Sequence, residues 1–473
     1  MPEIIKRSKA LSVSPLKVSQ TIGATLAFLG FNRSIPMLHG SQGCTAFGKV
    51  LFVLHFREPI PLQTTAMDQV STVMGSEESV IEGLKTIAEK NDPLIIGVPT
   101  TGLTETQGSD VEMAVKPCRQ QCPQFDHITV VPVSTPDYTG CLETGFAKAV
   151  EEIIKITVPT AKESGTRPGR NRRQINVLVG SFLTSGDLEE LKEIIEAFSL
   201  SPVMVPDISD SLGYLGEADF SPLTIGGTQV SDLATLGDAA ATLVVGRSMF
   251  KAADELAMRT GVPDYRFDHL MGLDAVDALV DRLHRITGEP VPSKLERQRA
   301  QLQDAMLDSH FMLGMARVAI AADPDLLVAL NQLLAGMGAE TVAAVSPINA
   351  PVLNEMVAES VKIGDLEDLE EIASAEGAEV LISNSHGVQS AARLAIPLLR
   401  AGLPQYDNLG GLHRIWIGYR GTRATLFDLA NIMLSLEKGE IHPYHSIYSS
   451  KQTAREAADG TATTQTAVSE FCH

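Results

Sequence analysis

Cysteine is scarce in this chain, with five in 473 residues. So few thiols in so long a chain exclude a disulfide framework and point to a reducing, cytoplasmic setting. Tryptophan occurs once, and aromatic residues make up only 5%. No apolar stretch reaches the ~20 residues that a membrane span needs. Met1 to Ala10 carries charge but no apolar signal core. Basic residues are outnumbered: 38 Lys and Arg against 58 Asp and Glu give a formal charge of −20. Such a chain repels phosphate backbones and anionic lipid, so neither nucleic acid nor a membrane is an expected partner. No Gly-x-Gly-x-x-Gly follows any of the apolar runs, so dinucleotide binding is unsupported.

What is present is ample apolar sequence, 44% of the chain. Single cores stop growing well below this length, so several domains are expected. Short apolar runs alternate with helical periodicity, which predicts an α/β fold with parallel sheets flanked by helices. In the first block Leu94 to Val98 and Ile128 to Val133 read as strands, and Val80, Ile81, Leu84, Ile87 and Ala88 share one helical face. Residues 157–174 lose that periodicity and carry Arg170, Arg172 and Arg173, as an exposed linker does. A second block opens at Ile175, with a helix from Asp187 and strands at Val203 to Asp207 and Ala241 to Val245. A third repeats the plan from Arg317, where Asp323-Pro324 is a good helix start. Three Rossmann-like domains follow: 1–170 ending in the linker, 171–310 and 311–437. Residues 438–473 turn polar and are expected to form a flexible tail.

The chemistry gathers in the first block. His39-Gly40-Ser41-Gln42-Gly43-Cys44 sets a thiol in a tight, Gly-flanked loop. Thiolates are strong ligands for iron–sulfur clusters, and glycine lets backbone approach a bulky group closely. Taken alone, Cys44 reads as a small buried hydrophobe. His55-Phe56-Arg57-Glu58-Pro59 follows, then Thr100-Thr101-Gly102-Leu103-Thr104-Glu105. Elsewhere, Cys118 and Cys122 lie one helical turn apart, and Cys141 follows, but no second ligand pair of zinc type accompanies them. They read as surface or partly buried thiols. His386 reads as a hydrogen-bonded loop histidine, and His413, Arg414 and Trp416 as subunit contacts, Trp being a common interface anchor. His442, His445, Cys472 and His473 lie in the tail.

These words, in this order and at these intervals, resemble the β-type subunits of the nitrogenase component 1 family. Further matching words are Pro15-Leu16-Lys17 with Gln20, Gly23 and Leu29-Gly30; Thr135-Pro136 with Gly140 and Gly145; Gly226-Gly227-Thr228; Met271 to Asp274; Asp308-Ser309-His310; and Ser383 to Gly387. In that family three cysteines of the first domain hold half of an interfacial cluster. Here Leu62 and Gly102 stand at the second and third positions, and Cys44 alone remains. The resemblance therefore implies the scaffold branch of the family rather than its catalytic β subunit. It implies a [4Fe-4S] cluster shared with an α-like partner subunit that supplies three cysteines, with Leu62 packing as a hydrophobic lid. It implies an α2β2 heterotetramer in which the partner holds the iron–molybdenum cofactor precursor. The Fe protein, a precursor donor and the apo catalytic component would dock transiently. The alternatives are a catalytic nitrogenase β subunit, the B-type subunit of protochlorophyllide reductase, a scaffold serving a vanadium enzyme, and a two-lobed metal- or siderophore-binding module.

Overall fold

The computed structural model describes residues 1–75, 77–212 and 221–437, without the side chains of Met74, Cys118, Gln121 and Glu437. The expected tail at 438–473, with His442, His445, Cys472 and His473, lies outside the described residues. Contacts divide the chain into two units, Met1–Met433 and Leu434–His473, and the sheets of the described residues lie in the first.

Strand β1 (Glu3–Ile5) opens the chain. The first block holds β2 (Ser34–Leu38), β3 (Gln63–Thr64), β4 (Ile95–Pro99) and β5 (Thr129–Val133), in the order β3-β2-β4-β5. The second holds β6 (Asn171–Val179), β7 (Ser201–Val205), β8 (Ala239–Val245) and β9 (Asp264–Phe267), ordered β7-β6-β8-β9. The third holds β10 (Arg317–Ala321), β11 (Glu340–Ser346), β12 (Ser360–Ile363), β13 (Val380–Ser383) and β14 (Leu398–Arg400). Its order is β1-β12-β11-β10-β13-β14. Every strand pairing within these sheets is parallel. The α/β class with helices flanking parallel sheets is the observed one. In each sheet the first strand of its block lies inside and the next strands depart to both sides. That reversal creates a crevice at the carboxyl ends, where such folds place their ligands.

Three features depart from the sequence reading. Strand β1 pairs in parallel with β12, so the chain's first residues belong to the third sheet, not the first. Residues 157–174 are not open throughout. They contain a short helix, Ala161–Ser164, and their last four residues begin β6, where Asn171 pairs with Ala239. Backbone ladders extend past the apolar run because pairing uses N–H and C=O, not side-chain polarity. Finally, Trp416 is buried in the chain's own core, at 2% exposure. Its N–H and that of Ile417 donate to Asp187 Oδ1, at 2.6 and 3.1 Å. The Arg414 guanidinium lies 4.1 Å over its ring. The expected anchor for another subunit is instead an anchor for the second block's Ser185–Glu196 helix.

The first block is drawn tight by two helices in backbone contact. A Cβ at Gly23, in the buried Gln20–Leu29 helix, would lie 1.8 Å from the Leu142 carbonyl oxygen; one at Gly145, in the Leu142–Thr157 helix, would lie 1.9 Å from that of Gln20. Only glycine permits this approach. Thr21 Oγ1 then donates to the carbonyls of Thr100 and Thr135, tying the helix to the ends of β4 and β5.

Candidate functional site

The words singled out in the first block converge at the carboxyl ends of β2, β3 and β4. His39 follows β2; its ring nitrogens lie 3.1 Å from Thr65 Oγ1 and 2.8 Å from Ser109 Oγ. Burial lowers its pKa to about 4, so the ring is neutral and serves as a hydrogen-bonded post. Its carbonyl accepts from Thr101 Oγ1 at 3.1 Å and from Thr104 Oγ1 at 3.3 Å. The Thr-Thr word therefore braces the loop that leads to Cys44.

Cys44 is exposed. It does not lie in a loop: it occupies the first turn of the Gln42–Phe56 helix, three residues past the N-cap Ser41. Ser41 Oγ donates to its sulfur at 3.4 Å. The two glycines have different roles. A Cβ at Gly40 would lie 2.7 Å from Thr101 Cγ2, so Gly40 serves internal packing. A Cβ at Gly43 would meet nothing closer than Ser41 Oγ at 3.8 Å, so that surface is open to approach by a bulky group. The unpaired N–H groups of a helix's first turn favour negative charge beside them. One exposed thiol on an open helix end can supply one ligand of a shared cluster. Among the described residues no three His, Cys, Asp or Glu side chains gather to hold a metal. The rest of such a ligand set would have to come from another chain.

The same helix is apolar on two sides. Thr45, Gly48, Phe52 and Phe56 face inward. Outward lie Phe47 at 80% exposure, Val50, Val53 and Leu54. Val70 and Val73 on the Gln69–Met74 helix and Leu103 are exposed as well. Exposed apolar side chains in such number around one loop make this a candidate surface for another chain. Sequence reasoning missed this face, although the unbroken apolar run from Val50 to Leu54 signals a helix with no polar side to give to water.

Leu62 is not a lid over this surface. It is 1% exposed and lies beside Gly48 in the core. Apolar packing beneath the helix satisfies it better than solvent. Gly102 opens the Gly102–Gln107 helix and donates its N–H to Asp137 Oδ2 at 3.2 Å. His55, near the other end of the Gln42–Phe56 helix, accepts from the N–H of Gln405 through Nδ1 at 2.9 Å, and burial lowers its pKa to about 4.

The remaining candidates scatter. Cys122 is buried at the end of the Val111–Gln121 helix, and Cys141 is buried as the N-cap of the Leu142–Thr157 helix. Both lie deeper than the surface or partly buried thiols that the sequence suggested. Burial and the charges of Asp323 and Glu143 push the Cys141 thiol up, so it stays protonated. The side chain of Cys118 is outside the described residues. Nδ1 of His386 is buried with no hydrogen-bond partner among the described residues, whereas a hydrogen-bonded ring was expected. His413 is exposed, and Arg414 pairs within the chain with Asp428 at 2.9 Å.

A family model for nitrogenase component 1 type oxidoreductases matches residues 19–434. A solved structure of nitrogenase Cp1 at pH 6.5 superposes with a TM-score of 0.86 at 29% identity, covering 94% of this chain and 98% of that one. A chain of Cp1 at pH 5 shares the fold, with a TM-score of 0.70 at 14% identity over 94% of this chain and 93% of that one. The chain belongs to the nitrogenase component 1 family. It is 44% identical to the nitrogenase iron-molybdenum cofactor biosynthesis protein NifN of Bradyrhizobium diazoefficiens, over 90% of this chain and 91% of the relative. Identity to the NifN proteins of Nostoc sp. and Klebsiella pneumoniae is 45% and 42%, over 92% of this chain and 96% and 93% of theirs. Within the family, the chain lies in the NifN branch.

Proposed function

We propose that this chain is the β-like half of a scaffold on which the nitrogenase iron–molybdenum cofactor is matured, and that it is not itself a catalytic subunit. Its partner is a NifE-type α-like subunit in an α2β2 heterotetramer. Cys44 donates one ligand to a [4Fe-4S] cluster between the two chains, and the partner supplies the other three. Such a cluster carries single electrons. The partner holds the cofactor precursor, molybdenum and homocitrate are inserted with the help of the Fe protein, and the product passes to the apo catalytic component. The three sheets serve as three domains.

The observation that supports this most is the setting of Cys44: an exposed thiol on an open helix end, beside an outward apolar face, with Leu62 and Gly102 where the family's catalytic β subunits have thiols. Leu62 and Gly102 have no sulfur to give, so an eight-iron cluster of the catalytic type is disfavoured. The test is Cys44→Ala in the copurified complex, read by iron content and paramagnetic resonance. Loss of the interfacial cluster signal is the expected result. A complex with undiminished iron and an unaltered spectrum would remove Cys44 from the ligand set.

A further inference from the structure

Carboxylates outnumber basic side chains in this chain, 58 to 38, and many arginines meet one. Arg247, Arg266, Arg317, Arg393, Arg400 and Arg420 each pair with an Asp or Glu. The segment between Val158 and Gln174 breaks that pattern. It carries Lys162, Arg167, Arg170, Arg172 and Arg173, all exposed, against a single acidic residue, Glu163. Glu163 Oε2 is already engaged, accepting from the N–H and Oγ–H of Thr160, both at 2.8 Å. Arg170 lies 3.8 Å from Asp238. Arg167, Arg172 and Arg173 form no ion pair among the described residues. A solvated charge needs no partner; what sets these three apart is the backbone that holds them.

Arg167 and Arg170 flank a fixed turn. The Arg167 N–H donates to Asp238 Oδ1 at 2.9 Å, the Gly169 N–H to the Ala239 carbonyl at 2.8 Å, and the Arg170 N–H to the Arg167 carbonyl at 3.1 Å. Strand β6 then begins, and its register against β8 slips at once. Asn171 faces Ala239, and the next pair is Ile175 with Ala241. Arg172, Arg173 and Gln174 therefore stand where β8 has Ala240 alone. Pairing with β7 starts only at Gln174, opposite Ser201. Arg172 and Arg173 thus sit on a bulge outside both ladders. Gln174, 5% exposed, anchors the bulge from within, its Nε2 donating to the Thr235 carbonyl at 3.2 Å. Asn171 closes it, Oδ1 accepting from the Arg173 N–H at 3.3 Å. A bulge gives up ladder bonds and re-aims the side chains it carries. This one sets two adjacent guanidinium groups at a strand end, beside a turn that presents two more.

We infer that the turn and bulge at residues 167–173 are a docking surface for an acidic segment of a second protein, its carboxylates pairing with Arg167, Arg172 and Arg173. A guanidinium fork matches a carboxylate with two parallel hydrogen bonds. The backbone beneath is already fixed, so binding orders side chains alone. The formal charge of −20 selects the class of partner. A short acidic segment lies within about one Debye length, ~8 Å, of the patch and is screened from the rest of the chain. A nucleic acid would extend over the acidic remainder and be repelled. The surface lies at the amino end of β6, so a docked segment leaves the crevice at the carboxyl ends of that sheet open. It involves no part of the Cys44 helix and does not rest on the cluster assignment.

The test is fluorescence anisotropy of a labelled hexaglutamate peptide titrated with the full-length protein at low ionic strength. Saturable binding is expected, weakening as salt is added. Replacing Arg167, Arg172 and Arg173 together by Gln should weaken it at least about 10-fold, since each exposed charge pair contributes a few-fold. Arg172→Gln with Arg173→Gln, confined to the bulge, should weaken it several-fold. A charge-matched control, Arg285→Gln with Lys294→Gln and Arg297→Gln, changes three exposed side chains of the second block's helices. It should bind as the unaltered protein does. Absence of saturable binding overturns the proposal, as does an equal loss in the control, which would reflect overall charge alone. A hexathymidylate that binds as tightly as the peptide overturns the choice of an acidic protein. None of these results bears on iron content, so failure here is separate from failure at Cys44.

Discussion

A methyl group at Gly23 or Gly145 would press into a carbonyl oxygen of the facing helix, and backbone cannot yield as a flexible side chain does. Gly23→Ala and Gly145→Ala are each expected to cost upward of about 3 kcal/mol, read as a large fall in melting temperature. An equally large effect at Gly43, whose Cβ direction is open, would contradict this assignment of roles. Trp416 is the one tryptophan of the chain and is buried. Its emission should shift to the red in a single transition on unfolding. Trp416→Ala should cost about 3–5 kcal/mol, as for other large core truncations. A variant of unchanged stability would return Trp416 to the surface role that composition suggested.

The Gln42–Phe56 helix is the element on which the functional reading turns. Its inner face holds it to the core, and its outer apolar face is the one that the proposed function gives to a second chain. Phe47→Glu should leave the isolated chain as stable as before, because Phe47 is 80% exposed, while sharply reducing copurification with the α-like partner. Undiminished copurification would place the interface elsewhere. His55 gives the same helix a pH dependence. Its folded pKa is about 4 against an ordinary 6.5. The unfolded chain therefore binds the proton first as pH falls. Stability from this group is whole above pH 6.5 and is lost as pH drops toward 4, by on the order of 3 kcal/mol in full. His55→Gln should flatten that part of a stability–pH curve; a curve of unaltered slope would mean the ring is not held neutral.

At the scale of the whole molecule, the acids where the blocks join act in the opposite sense. Glu143 Oε2 accepts from the N–H of Asp325 at 2.8 Å, and Asp325 Oδ2 accepts from Ser248 Oγ–H at 2.6 Å. Burial raises Asp325 to about 6 from an ordinary 3.8. The folded chain then holds its proton more tightly than the unfolded one. Stability from this group is complete below about pH 3.8 and is lost as pH rises through 6. Asp325→Asn keeps an acceptor for Ser248 and removes the charge. It should stabilise the protein at pH 8 and change little at pH 5, measured by denaturant midpoints. Stabilisation of equal size at both values would show that the carboxyl is not buried in a charged state. Because Glu143, Ser248 and Asp325 come from different blocks, this effect belongs to their assembly, not to any single sheet.

The sequence by itself determined the repeated strand–helix plan and most element positions, and it singled out Cys44 as the candidate ligand. Each of these is written in neighbouring residues: apolar periodicity, Asp-Pro at a helix start, and short words in fixed order. Tertiary structure alone decided that β1 joins the third sheet, that Leu62 and Trp416 lie inside, that Gly23 meets Leu142, and that Glu143 meets Asp325 where the blocks join. Those outcomes pair residues as far apart as Asp187 and Trp416, or Glu143 and Asp325. Burial and hydrogen bonding between such partners depend on how the blocks dock, and docking leaves no periodic mark along the chain.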